Sequence, residues 1–214
     1  MAKVPFVHSN FERVPNDFYP TIDSRCVYGF LEHFTPDGLC VDVCAPEGSG
    51  IVDTLKECGH NAAGLPDAFA ESVTAQWIVT NPPYKRGLVD EIINRQIKRV
   101  ENGEVFGLAV LLRSNFDFAK GRQAMFEHPL YFGQIKLRFR PWWSESREAQ
   151  PIHNYVWQVW SMSASRPVVL FANGTRLTKR APDVCPSCAG EKQVIGEDGT
   201  VWVCGICGGT GKRR

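Results

Sequence analysis

Short, nearly continuous apolar runs alternate along this chain with stretches whose apolar residues recur at helical spacing. Residues 22–34 place Ile22, Val27, Phe30, Leu31 and Phe34 roughly on one face and predict a helix. Gly38-Leu39-Cys40-Val41-Asp42-Val43-Cys44-Ala45 predicts a buried strand with an acid near its end. Pro46-Glu47-Gly48-Ser49-Gly50 then turns the chain into a helix over 51–59, closed by glycine. The pattern repeats with a weak second strand at 61–65, a strand at 77–80 and an amphipathic helix over 88–100. A strand over 104–112 is apolar enough to be buried on both faces, and a further helix is expected over 116–126. Residues 133–139 and 154–162 alternate as an antiparallel pair at one edge, with a polar loop over 141–151 between them. Arg166-Pro167 and Ala172-Asn173-Gly174 read as a last strand and turn. This order predicts an α/β protein with a mostly parallel, doubly wound sheet and an antiparallel edge, in which a cofactor binds beyond the carboxyl ends of the strands.

The 214 residues suit one medium domain over 1–172, a linker over 173–183 and a small tail over 184–214. A net charge of +1 leaves no global polycation, so any nucleic-acid surface must be local. No apolar stretch reaches the roughly 18 residues of a membrane span, and Met1-Ala2-Lys3-Val4-Pro5 has no signal-peptide core. A soluble, cytoplasmic protein without a membrane partner is the expectation. Of the eight cysteines, Cys26, Cys40, Cys44 and Cys58 lie in or beside apolar runs and read as small buried residues in a reducing compartment. No histidine at useful local spacing supports a catalytic thiol among them.

The most informative stretch is Asn81-Pro82-Pro83-Tyr84, which ends the apolar run Gln76-Trp77-Ile78-Val79-Thr80. The exocyclic amine of adenine is a poor nucleophile because its lone pair is delocalised into the ring. An Asn side-chain oxygen and the next carbonyl can accept both amine hydrogens and draw the nitrogen towards a tetrahedral shape. Pro82 and Pro83 stiffen the backbone, and Pro82 biases Asn81 towards an extended conformation. The acceptors are thereby pre-aimed. Tyr84 offers an aromatic face for a base taken out of its stack. A Pro-rich turn that merely caps a strand is the plainer alternative.

The tetrapeptide after a short apolar strand resembles the catalytic motif of S-adenosylmethionine-dependent amino-methyltransferases, chiefly the DNA adenine N6 class. Asp42-Val43-Cys44-Ala45-Pro46-Glu47-Gly48-Ser49 resembles the acidic, glycine-containing loop that wraps the methionine part of that cofactor. Asp17-Phe18-Tyr19-Pro20-Thr21 is similar to the N-terminal motif that closes over it. Trp142-Trp143 followed by Tyr155-Val156-Trp157-Gln158-Val159-Trp160 is similar to the late strands of phage and prophage members. The resemblance covers about residues 10–165 and implies a Rossmann-like methyltransferase fold that transfers a methyl group to adenine N6 in DNA. It implies Asn81, Pro82, Pro83 and Tyr84 as catalytic residues. It implies Phe18, Tyr19, Pro20, Thr21, Asp42, Cys44, Ala45, Gly48, Asp67 and Asn81 as contacts of S-adenosylmethionine.

Two positions depart from the family. Pro46 stands where a glycine is usual, so Gly48 and Gly50 must provide the close approach or the loop takes another path. The acid that normally holds the ribose hydroxyls falls at Leu65-Pro66, with Asp67 one step late and Glu71 beyond it. A catalytically degenerate nucleic-acid-binding protein of this fold therefore stays open, as does an amino-methyltransferase acting on RNA or on a protein glutamine. The loop from Trp142 to Gln150, with Arg138, Arg140 and Arg147, has the basic and aromatic mixture of a nucleic-acid groove. Its tryptophans would equally serve as packing beneath the sheet edge.

Cys185-Pro-Ser-Cys188, fifteen intervening residues, and Cys204-Gly-Ile-Cys207 have the spacing of a tetrahedral Zn²⁺ site, a four-cysteine ribbon. Four sulfur ligands leave no open position, so the metal would be structural. Two disulfides satisfy the same pairs but do not suit a reducing compartment. From Arg176 onward seven Lys or Arg face four Asp or Glu, a local net of +3, and Lys212-Arg213-Arg214 could sit on phosphates or simply be solvated.

Overall fold

The computed structural model describes residues 19–45, 48–70, 74–145 and 151–176, together with the backbone of 193–195 and 201–203. Seven strands form one sheet in the order β2-β1-β3-β4-β6-β5-β7. They are β1 (Cys40–Asp42), β2 (Ala62–Gly64), β3 (Trp77–Thr80), β4 (Gly107–Arg113), β5 (Tyr131–Leu137), β6 (Tyr155–Ser161) and β7 (Val168–Ala172). Strands β1 to β4 are mutually parallel, and β6 runs antiparallel between β4 and β5. The expected antiparallel pair is therefore present, but β6 is interior and the edge belongs to β7, which pairs in parallel with β5. The reason is burial: every residue of β6 is buried, whereas β7 alternates between covered and exposed positions. This α/β arrangement is compatible with a Rossmann-like fold.

Side-chain alternation divides the core into two layers. Trp77 and Val79 of β3, Ala109 and Leu111 of β4, and Trp157 of β6 face α1 (Arg25–Leu31) and α2 (Gly50–Glu57). Ile78, Leu108, Val110, Leu112 and Trp160 face α3 (Leu88–Glu101). Both indoles are fully buried and keep their N–H groups satisfied, Trp157 donating to the Cys26 carbonyl and Trp160 to the Met125 carbonyl, each at 2.8 Å.

Helix α3 carries its apolar residues Val89, Ile92, Ile93, Ile97 and Val100 on the face turned to the sheet. Asp90 and Glu91 in its first turn and Lys98 and Arg99 in its last complement the helix dipole. Gln96 sits on the buried face because its amide donates to the Ala68 carbonyl at 2.9 Å. In α2, Ser49 is the N-cap and accepts from the Val52 N–H.

Several elements are shorter than their sequence patterns. The helix expected over 22–34 is regular only in α1; ahead of it the Asp23 carboxylate instead accepts from the Arg25 side chain and the Trp142 N–H. The expected strand over 38–45 is regular only in β1, because the Cys44 N–H turns back onto the Asp42 carboxylate. The helix expected over 116–126 is a correction: two 3₁₀ turns, Phe116–Phe118 and Lys120–Arg122, lead into the single turn α4 (Gln123–Phe126). Arg122 stops a longer helix by donating to the Phe116 carbonyl and pairing with Asp90 of α3. The α3 side of β5 and β7 is thus left without a long helix over it, and Lys136, Val169 and Phe171 are exposed there.

The tail shows an antiparallel hairpin of β8 (Gln193–Ile195) and β9 (Val201–Val203), between the two cysteine pairs in sequence. No helix among the described residues is long and apolar enough to cross a membrane.

Candidate functional site

The chain leaves β1 towards β2 on one side and returns to β3 on the other, so the carboxyl ends of β1 and β3 flank a topological switch point. The residues expected to carry the chemistry converge there. Asp42 ends β1, Thr80 ends β3, Asn81 and Pro82 follow, and residues 19–21 cross over them.

Asn81 is buried, and its amide is aimed from the nitrogen end. Nδ2 donates to the Tyr19 carbonyl at 2.7 Å and to Thr21 Oγ1 at 3.1 Å. A backbone carbonyl only accepts, so the amide cannot be reversed without setting two acceptors against each other. Oδ1 is left buried with no hydrogen-bond partner among the described residues. An orphaned buried acceptor costs about 1–3 kcal/mol, a cost that a donor arriving with a ligand would remove. Oδ1 has almost no exposed surface, so admitting such a donor requires residues 19–21 or the turn after Asn81 to shift.

Asp42 is the hub beneath this acceptor. Its carboxylate takes Thr80 Oγ1 at 2.6 Å, Ser49 Oγ at 2.8 Å and the Cys44 N–H at 3.1 Å. Burial pushes its carboxyl above the usual range, and the three hydrogen bonds only partly offset that. It therefore ties β1, β3 and the start of α2 together with both oxygens engaged. Cys44 and Ala45 are buried, and the Ala45 N–H donates to the Leu65 carbonyl.

Gly48 takes φ 79°, and a side chain there would meet open space. Among the described residues of the loop the left-handed one is Gly48; Pro46 lies outside the described residues, as do Phe18, Glu71 and Arg147. Gly50 does make a close approach, but to protein: a Cβ would collide with the Thr21 carbonyl. That contact locks the start of α2 against the segment holding Asn81. No local pattern signals it, because the two residues are distant in sequence.

Pro82 is buried and Pro83 half-buried. Tyr84 is less available than its position suggests. Its hydroxyl donates to the Leu111 carbonyl at 2.9 Å, its edge meets Tyr155, and the Arg113 guanidinium lies 5.7 Å from its ring centre. Burial pushes its phenol well above the usual range. Asp67 is exposed beyond β2, with one carboxylate oxygen capping the Phe69 N–H at 2.8 Å. The structure brings it to the right end of the sheet but not into the Asn81 cluster. Trp143 packs on Tyr155 with ring centres 4.8 Å apart, the packing role, while Arg138 and Arg140 are exposed.

Among the described residues no group of three or more His, Cys, Asp or Glu could hold a metal. Cys185, Cys188, Cys204 and Cys207 lie outside them. No protein-family model matches the chain, and no curated protein is significantly similar to it.

Proposed function

We propose that this protein is an amino-methyltransferase that uses S-adenosylmethionine and acts on the N6 amine of adenine in DNA. The observation that carries the reading is Asn81 Oδ1, a buried acceptor without a donor, held by two hydrogen bonds on its own amide nitrogen at the switch point. An incoming amine is the donor it lacks. Accepting one amine hydrogen there, and the second at the Pro82 carbonyl, localises the lone pair on nitrogen. That stabilisation exists mainly as the new bond forms, which is where it accelerates reaction. The loop around Gly48, open above its left-handed residue, and residues 19–21 would hold S-adenosylmethionine, which when bound supplies the methyl group. Adenine in DNA, rather than another planar amine, follows from the resemblance of the Asn-Pro-Pro-Tyr turn.

The test is incubation with methyl-labelled S-adenosylmethionine and unmethylated DNA, digestion to nucleosides, and the same assay on Asn81→Ala. Labelled N6-methyladenine should form and fall by about 10²–10³-fold in the variant, the scale of one lost preorganised group. Label on glutamine or RNA instead would reassign the acceptor.

A second reading rests on a specific observation. Both oxygens of Asp42 are engaged internally and Asp67 stands exposed outside the Asn81 cluster, so neither of these two acids is already held in place for a ribose. A silent, DNA-retaining protein of this fold would bind DNA yet show no S-adenosylmethionine heat in calorimetry.

For the tail we propose a structural Zn²⁺ held by Cys185, Cys188, Cys204 and Cys207. Four soft thiolate donors in two Cys-x-x-Cys pairs, one on each side of the hairpin in sequence, suit it. One zinc per chain, lost in Cys185→Ser, is the expected metal content.

A further inference from the structure

The end of β4 separates the Asn81 turn from a second feature that methyl transfer does not use. Beyond Arg113 a cleft of about 550 Å³ opens on the α3 side of the sheet, where the broken helix leaves β5 and β7 uncovered. Lys136, Arg138 and Arg140 line it, and no salt bridge joins any of them to a carboxylate among the described residues. Two aromatic rings flank these cations. Phe118 is 84 % exposed, and Phe171 lies under the Arg138 guanidinium at 4.8 Å. Asp117 also lines the cleft, with Oδ1 buried and unpartnered among the described residues.

We infer that this cleft binds a single-stranded stretch of polynucleotide next to the Asn81 turn. Three cations without a carboxylate partner among the described residues suit a run of phosphates, and an aromatic ring as exposed as Phe118 suits a base face, which a stacked duplex hides. Asp117 argues against a plain anion such as free phosphate, because a carboxylate lining the cleft repels anions, whereas its unpartnered acceptor, once a small shift uncovers it, can take the amino edge of a base. Arg113 links the two sites: it lies over Tyr84, and the next residue, Ser114, lines the cleft. The inference takes its substrate class from the function proposed above, and fixes the strand form and the groove.

The test is fluorescence anisotropy of a labelled single-stranded oligodeoxynucleotide with the full chain, without S-adenosylmethionine, over a salt series. Parallel measurements use the double variant Lys136→Ala with Arg140→Ala, and separately Phe118→Ala. All three cleft residues substituted are exposed or rim-placed, so folding is checked simply by unchanged thermal midpoints. The double variant should bind more weakly and lower the slope of log affinity against log salt by about 1.4, roughly 0.7 for each phosphate that is no longer neutralised. Phe118→Ala should weaken binding roughly 5- to 150-fold, the range for one stacked base, with the salt slope unchanged.

Absence of oligonucleotide binding, or cleft variants that bind as the parent does, would overturn the inference. So would retained oligonucleotide binding with loss, in the same variants, of sedimentation with phosphatidylserine vesicles, which would make the cleft a membrane-facing surface. Cleft-dependent binding without methylation would refute only the proposed reaction. Methylation by a protein whose binding ignores the cleft variants would refute only the cleft.

Discussion

Gly50→Ala sets two physical effects of opposite sign against each other. Gly50 is the first residue of α2, where an alanine ordinarily stabilises by up to about 1 kcal/mol through helix propensity. The tertiary contact opposes this. A Cβ at residue 50 would lie 3.2 Å from the Thr21 carbonyl carbon and closer still to its oxygen, inside ordinary contact, and the obstacle is backbone. Overpacking of that kind costs typically 1–3 kcal/mol, so the net effect is destabilising by up to about 2 kcal/mol. In a domain of this size the thermal midpoint should fall by several degrees, since 1 kcal/mol corresponds to roughly 2–4 °C. The segment pushed away also carries both acceptors of the Asn81 amide. Loss of the proposed methyl transfer should therefore exceed the loss of folded protein at the assay temperature. Thermal denaturation by circular dichroism, paired with the methylation assay, reads both. A midpoint equal to or above the parent's would show that helix propensity wins and that residues 19–21 do not press on Gly50.

Thr21→Val removes one of the two acceptors holding the Asn81 amide but leaves the Tyr19 carbonyl, so it acts as a positioning change. It should lower kcat by less than Asn81→Ala, with the salt dependence of DNA binding unmoved; a larger loss than Asn81→Ala would refute the order. Asp42 has a folded-state pKa raised by burial, so its protonated form favours the fold at acid pH and that contribution is lost as pH rises through the folded value. The midpoint of Asp42→Asn minus that of the parent should therefore become more positive from about pH 4 to 7; a flat or falling difference would count against it. Burial also raises the Cys26 thiol well above its usual value and pushes Cys40 and Cys44 up to about 12, whereas Cys58 is half-exposed and less perturbed. Peptide mass spectrometry after brief iodoacetamide treatment at about pH 8, near the ordinary thiol range, should find Cys58 modified ahead of these three; early labelling of Cys44 would contradict its burial.

Local pattern carried much of the architecture. The apolar run at 77–80 and the amphipathic stretch at 88–100 became β3 and α3 because each buries a face that its own residue spacing defines. The run at 154–162 likewise became a strand, but its antiparallel place inside the sheet, with β7 outside it, depends on a pairing that no local window contains. The pattern at 116–126 misled, since Arg122 satisfies the Phe116 carbonyl and Asp90 more fully than a continuing helix would.

Residue order alone makes the chemically distinctive residues legible: an Asn followed by two prolines, an acid at the end of an apolar run, a glycine-containing turn and paired cysteines. Their types and spacing are local properties, visible without a fold. Tertiary structure decided their state. Only the crossing of residues 19–21 over β3 turns the Asn81 amide so that its oxygen is the buried, unsatisfied end. Only the three donors gathered around Asp42 make it an internal hub rather than an open ligand. Hydrogen-bond satisfaction is a sum over neighbours brought together from distant parts of the chain, and that sum exists only once the chain has folded.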